Sequence, residues 1–259
     1  MDTAPTPESP RRSGTVGIVI GVVAVLIGFG VVATVLQGGS LTTTSESFAG
    51  VSVIEFDLDN APVTVRGTGD GVDVERRAST GLLGGTSRYE QSGGTLRVVH
   101  RCPAIFGFGC RASFTIDAPA GTSITGATSN GAFRLTDLDG RIDVRTSNGG
   151  IYFDGVTAEV RARTSNGAIT GSAMSSDDID VQTSNGRITL SFAEAPDTVR
   201  ARTSNGRIDL RFPADAPSYA VDASTSNGQV RNEIRSDPAS AATLDLATSN
   251  GDIILRYGS

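Results

Sequence analysis

The tetrapeptide Thr-Ser-Asn-Gly occurs seven times, at 128–131, 146–149, 164–167, 183–186, 203–206, 225–228 and 248–251. Its asparagines, Asn130, Asn148, Asn166, Asn185, Asn205, Asn227 and Asn250, follow one another at intervals that widen from 18 to 23 residues. A fixed interval near 20 marks a repeat architecture, in which each unit packs on its neighbours. Four and two residues before each threonine after the first copy stand apolar or small residues, such as Ile142 and Val144 or Val199 and Ala201. Three residues after the asparagine the pattern resumes, with Phe133, Ile151, Ile169, Ile188, Ile208, Val230 and Ile253. Alternation at period two on both sides of a polar corner predicts two short strands joined by a bend. The expected fold is all-β: a parallel β-solenoid of 18–23-residue coils, with strands about 4.8 Å apart.

The corner has an expected chemistry. Glycine accepts the left-handed conformation of a tight corner, and asparagine tolerates it better than most residues. Stacked asparagine amides can hydrogen-bond from coil to coil as a polar ladder. Threonine, in phase with the apolar positions, is expected to point inward. The segment 53–65, "VIEFDLDNAPVTV", fills the same slots with Ile54, Phe56, Leu58, Asn60, Val63 and Val65. Residues 72–118 read as irregular strands able to cap the stack. The closing "GDIILRYGS" offers little to cover a final apolar layer.

Thr15 to Leu36 carries no charge over 22 positions, which at about 1.5 Å per residue is roughly 33 Å of helix, enough to span a bilayer. Arg11 and Arg12 precede it, and no basic residue follows until Arg66. The positive-inside rule then puts the tail in the cytoplasm and the repeats outside. The span is too long for a signal-peptide core and lacks a convincing cleavage site, so a retained single-pass anchor is expected in the cell membrane. Gly17, Gly21, Ala24 and Gly28 share one face of it, as glycine-rich membrane helices commonly show. The expected organisation is a tail at 1–14, the transmembrane helix at 15–36 and a flexible spacer at 37–47. Degenerate coils or a cap follow at 48–123, then the regular solenoid at 124–259.

Outside the membrane, Cys102 and Cys110 are expected to form a disulfide. The rival is a metal site with His100, the one histidine of the chain. It supplies three ligands, and no metal or other cofactor is expected. A single histidine also leaves one base for any nucleophilic triad, and no serine stands in a nucleophile-elbow context. Asp177, Asp178 and Asp180 in "SSDDID" read as a solvated strand entrance, and no catalytic residue is assigned.

The outward columns carry charge. Three residues before each threonine stand Thr125, Asp143, Arg161, Asp180, Arg200, Asp222 and Asp245, whose signs alternate through the middle when coils stack in chain order. Arg145, Arg163 and Arg202, with Arg187 and Arg207 on the other side of the tetrapeptide, form a candidate anion-binding strip. Arginine forks suit carboxylates and phosphates, while pairing with neighbouring aspartates is the plain alternative. A net charge of −6 excludes a general nucleic-acid binder.

Taken together, the anchor, "VIEFDLDNAPVTVRG", the cysteine-bearing middle and the serial TSNG units resemble the bacterial putative-adhesin family of β-strand-repeat domains of unknown function. The resemblance covers residues 48–259 and implies an extracytoplasmic β-solenoid whose shared residues are architectural. The expected role is a non-catalytic surface-binding or adhesion module, with an anionic envelope polymer as partner. The alternatives are a structural envelope protein that self-associates end to end and, more distantly, a polysaccharide-active enzyme.

Overall fold

Each TSNG closes one strand and precedes the next, because the alternation on either side gives one buried and one solvated face. The computed structural model describes residues 41–79, 85–102, 110 and 112–258. The tail, the apolar span at 15–36 and residues 37–40 lie outside the described residues, which contain no helix. The first strands are β1 (Leu41–Phe48), β2 (Val53–Leu58), β3 (Val63–Arg66) and β4 (Val72–Ser79). Next come β5 (Thr86–Ser92), β6 (Thr95–Arg101) and β7 (Ala112–Asp117). The repeats then supply strand pairs: β8 (Ser123–Thr128) and β9 (Phe133–Thr136), β10 (Ile142–Thr146) and β11 (Ile151–Asp154), β12 (Val160–Thr164) and β13 (Ile169–Met174). They continue with β14 (Asp178–Thr183) and β15 (Ile188–Phe192), then β16 (Thr198–Asn205) and β17 (Ile208–Phe212). The last pairs are β18 (Ala220–Asn227) with β19 (Val230–Asn232) and β20 (Thr243–Asn250) with β21 (Ile253–Tyr257).

Strands before each corner form one sheet and strands after it form a second, so every coil has two faces. Between the sheets lie continuous apolar columns. Ile142, Val160, Ile179 and Val199 face inward from one sheet, and Ile151, Ile169, Ile188 and Ile208 from the other, all fully buried. β-Branched residues dominate these columns because they pack well on a pleated surface.

Two coils sit out of chain order. The first sheet runs β18-β20-β16-β14-β12-β10-β8-β2-β6-β5, and the second runs β1-β4-β7-β3-β9-β11-β13-β15-β17-β21-β19. The coil β20–β21, last in the chain, therefore lies between β16–β17 and β18–β19. At the other end the coil β2–β3 lies between β6–β7 and β8–β9. Stacking in chain order, expected from the sequence, fails at both ends. Long connections permit this: residues 213–219 and 233–242 give the chain room to step past one coil and return.

Three further expectations change. Residues 41–47 of the expected spacer belong to β1, which pairs antiparallel with β4; Thr42, Thr43 and Thr44 favour extended backbone, and Phe48 packs its ring 5.7 Å from that of Tyr89. The stack is parallel in its body but antiparallel at this end, where β1–β4, β4–β7 and β5–β6 pair. Finally, "GDIILRYGS" is not an uncapped end. Its strand β21 is flanked by β17 and β19, and the edges at that end belong to β18 and β19.

Candidate functional site

The TSNG corner stacks into a ridge along the solenoid. Asn227 donates to Asn250 at 2.9 Å, Asn250 to Asn205 at 2.8 Å, Asn205 to Asn185 at 2.8 Å and Asn185 to Asn166 at 2.8 Å. Asn166 continues to Asn148 at 2.9 Å and Asn148 to Asn130 at 2.7 Å. Asn130 donates to Asn60, whose own amide points at Cys102 Sγ, 3.7 Å away. All the donors face one way along the ridge. The seven TSNG asparagines are exposed. Asn130, Asn148, Asn166, Asn185 and Asn205 each use one N–H and one oxygen lone pair in the ladder and keep one of each for solvent or a ligand. Asn227 and Asn250 also reach the Ser249 and Ser204 carbonyls at 3.5 Å.

Beneath them the threonines turn inward. Thr146, Thr164, Thr183, Thr203 and Thr248 are buried. Their hydroxyls donate to the glycine carbonyls of the adjacent coil, at 2.8–3.0 Å. Those carbonyls explain the glycines. A Cβ at any of the seven TSNG glycines would lie 1.8–2.2 Å from a carbonyl oxygen of the neighbouring coil, far inside van der Waals contact. Apart from Gly251, with φ at 154°, none of them adopts a positive φ. The left-handed conformation expected at TSNG belongs to the opposite corner, where Asp137 (φ 54°), Gly155 (φ 62°) and Ala173 (φ 49°) take equivalent places in successive coils. Glycine is needed at TSNG for close approach rather than for handedness.

The arginines flank the ridge in two columns instead of one. Arg145 and Arg163 stand on adjacent strands of the first sheet, Gln182 follows Arg163, and Arg202 follows Gln182. Arg187 and Arg207 precede β15 and β17, across the corner. Four of the five meet a carboxylate: Arg145 with Asp143 at 3.8 Å, Arg163 with Asp180 at 3.0 Å, Arg207 with Asp252 at 3.6 Å, and Arg202 with Asp245. Arg187 has no ion-pair partner among the described residues. The arginine side chains in these pairs stay 37–61% exposed, and ion pairs so wet contribute little. Asp178 and Asp180 lie in β14, and Asp177 immediately precedes it. Alternation of the outer column holds from Asp143 through Arg161, Asp180 and Arg200 to Asp245, but Asp245 then faces Asp222.

At the capped end, Cys102 and Cys110 form a disulfide with their Cα atoms 5.7 Å apart. His100 is fully buried beside it. Burial, reinforced by Arg76, pushes its pKa below the ordinary 6.5. Nearby, burial pushes the Tyr89 hydroxyl up to about 12, and a hydrogen bond from Arg101 holds Asp57 below the usual carboxylate range. A cavity of about 430 Å³ opens between β1, β4 and β7, lined by Glu46, Arg66, Asp73, Glu75, Arg77 and Asp117 among others. Its mixed charges include the Arg66–Asp117 pair at 3.3 Å.

Against known families, the profile of the Toastrack DUF4097 domain matches residues 113–256. The chain belongs to the Toastrack DUF4097 family. The match begins within β7, so β1 to β6 lie outside the matched stretch of the Toastrack domain. No curated protein matches the chain. Among solved structures, a putative adhesin from Bacteroides fragilis is 14% identical, with a TM-score of 0.50, over 86% of this chain and 100% of that one. A putative lipid binding protein from Parabacteroides distasonis is 13% identical, with a TM-score of 0.46, over 85% and 98%. A putative cell adhesion protein from Clostridium sporogenes is 10% identical, with a TM-score of 0.40, over 84% and 100%.

Proposed function

We propose that this Toastrack protein is a non-catalytic surface-binding module, anchored in the membrane through residues 15–36 with its solenoid outside the cell. Its ligand is an anionic envelope polymer laid along the TSNG ridge. The observation that carries this reading is the ridge itself: exposed asparagine amides repeating coil by coil, flanked on both sides by arginines. A periodic rigid array suits a periodic ligand, because several weak contacts to one chain add through effective concentration. The aspartate partners do not block it. Ion pairs this exposed contribute about 0–1 kcal/mol, so a polyanion can replace the aspartates at small cost. The adhesin name of the Bacteroides fragilis structure points the same way.

The test is an array of anionic and neutral envelope polymers probed with the purified protein at rising salt. Binding is expected to favour polyanions and weaken as salt screens it. It is expected to fail in the triple variant Arg163→Gln, Arg202→Gln, Arg207→Gln, with the fold unchanged. Salt-independent binding that survives this variant would end the reading. The competing role, end-to-end self-association, would run through β18 and β19. Val230, 41% exposed on the edge strand β19, marks that edge, and Val230→Glu is the change that abolishes such assembly.

A further inference from the structure

The asparagine ladder ends on sulfur, and a third soft donor faces the same point. His100 Nε2 lies 3.5 Å from Cys110 Sγ and 3.8 Å from Cys102 Sγ. One ligand atom from each of the three residues lies within 4.8 Å of the others. A tetrahedral zinc ion with Zn–S near 2.3 Å and Zn–N near 2.05 Å sets each N···S edge at about 3.5 Å and the S···S edge at about 3.8 Å. Both N···S edges are thus already close to their ligated values, and only the sulfurs must part.

We propose that the Cys102–Cys110 disulfide is the closed form of a thiophilic metal site, which reduction opens to bind Zn²⁺ through both thiolates and His100 Nε2, leaving a fourth position to water.

The surroundings are those of such a centre. Ser87 Oγ lies 2.9 Å from His100 Nδ1. With Nδ1–H donating to that oxygen, the Nε2 lone pair faces the sulfurs, the arrangement in which a second-shell partner fixes the tautomer of a metal-bound histidine. Asn60 directs its amide N–H at Cys102 Sγ, which suits a thiolate better than a disulfide sulfur. The Asp59 carboxylate accepts from the Cys102 backbone N–H at 2.8 Å, anchoring that ligand whatever its redox state. Gly85 closes the other side: a Cβ there would stand 2.4 Å from His100 Cε1 and 2.7 Å from Cys110 Sγ.

The chemistry balances. A dithiol reductant gives two electrons to the S–S bond and its two protons to the sulfurs, and becomes a disulfide. Zinc binding then releases the two thiol protons to solvent while His100 supplies a neutral lone pair. In the experiment a phosphine replaces the dithiol, so that no competing thiol is present. It takes the oxygen of one water, and the two protons of that water end on the cysteine sulfurs.

Zn²⁺ titration of the full chain, oxidised and phosphine-reduced, tests this by calorimetry, with Co²⁺ replacing zinc for visible spectra. The reduced protein is expected to bind one equivalent with tetrahedral thiolate–cobalt bands, and the oxidised protein none. Ser87→Ala keeps all three ligands and is expected to weaken zinc binding about 10–100-fold; His100→Gln is expected to weaken it further. No uptake by the reduced protein would overturn the proposal. So would equal uptake by the oxidised form, or affinity unchanged in both Ser87→Ala and His100→Gln.

Discussion

Asn250 donates its side-chain amide to Asn205 at 2.8 Å across 45 residues of sequence, although the TSNG unit of Asn227 lies between them in the chain. Asn227 instead stacks beyond Asn250, at the end of the ladder. The amide ladder thus follows the spatial order of the coils and not their order of synthesis.

This order decides how alanine substitutions rank. Asn205 and Asn250 each have ladder neighbours on both sides, whereas Asn227 has one. At about 0.5–1.5 kcal/mol per net hydrogen bond, with exposure favouring the low end, Asn205→Ala and Asn250→Ala should each cost about 1–2 kcal/mol. Asn227→Ala should cost roughly half as much. Denaturant midpoints of the three variants check it. Were Asn250→Ala the mildest of them, the chain-order stack would be right.

The corner glycines offer a second test, because close approach and left-handed geometry predict different substitutes. In a left-handed corner, asparagine is tolerated where alanine is not. Gly186 has a neighbouring carbonyl 1.9 Å from its would-be Cβ, so any side chain collides. Gly186→Ala and Gly186→Asn should both destabilise by 1–3 kcal/mol or more, about the cost of overpacking a core. Thermal unfolding in which asparagine rescues what alanine loses would restore the left-handed explanation.

Charge register provides the third. Arg200 stands between Asp180 and Asp245, and Asp245 faces Asp222. Arg200→Asp would line up four carboxylates, and is expected to cost about 1 kcal/mol at low salt and less at high salt. Asp222→Arg would complete the alternation and should add a few tenths of a kcal/mol at low salt. Stability curves for both variants at two ionic strengths decide the matter. A salt-independent pair of values would mean these side chains do not sense one another.

Acid should weaken the oxidised protein through His100. Burial lowers its folded pKa below 6.5, so the unfolded chain takes up the proton first. The contribution is complete above the ordinary pKa and is lost as pH falls through it toward the folded value. Denaturation measured between pH values of about 7.5 and 5.5 should show this fall. His100→Gln should flatten it. An equal slope in both proteins would assign the effect to carboxylates.

Much of this fold is readable in the primary structure because a period-two pattern on each side of a fixed tetrapeptide admits few solutions. Ile142, Val144 and Ile151 declare a coil whatever lies above or below them. Neighbour order is a different matter. β18 and β20 carry the same TSNG register, so either can stack on β16, and the alternation alone does not choose. The clue lies in side-chain size: Leu244 and Leu246 are fit to be covered on both sides, whereas Val221 and Ala223 remain half-exposed. The arginines were visible as a set, but whether each lies before or after the bend depends on where the strands end. The trio of His100, Cys102 and Cys110 was legible as a rival reading, but its hydrogen-bonding partner Ser87 was not singled out. Ser87 comes opposite His100 because β5 folds back on β6, and the Gly93-Gly94 pair between those strands, with φ of 55° and 82°, is the two-residue hairpin signal that declares it.

The displaced coils alter how such a stack yields to a pull. A rod whose coils follow chain order unzips from its tip, one rung at a time, because the terminal rung has a single neighbour. Here the rung last in the chain is clasped on both sides, β20–β21 by β16–β17 and β18–β19. β2–β3 lies likewise between β6–β7 and β8–β9, although β1, which precedes it, is an edge strand. Tension entering from the C-terminal side of the described residues must shear β20–β21 from between two rungs before any peeling begins. Strands loaded along their length in this way share the load over many hydrogen bonds at once. The stitch that reorders the last coils works as a lock against traction from that side.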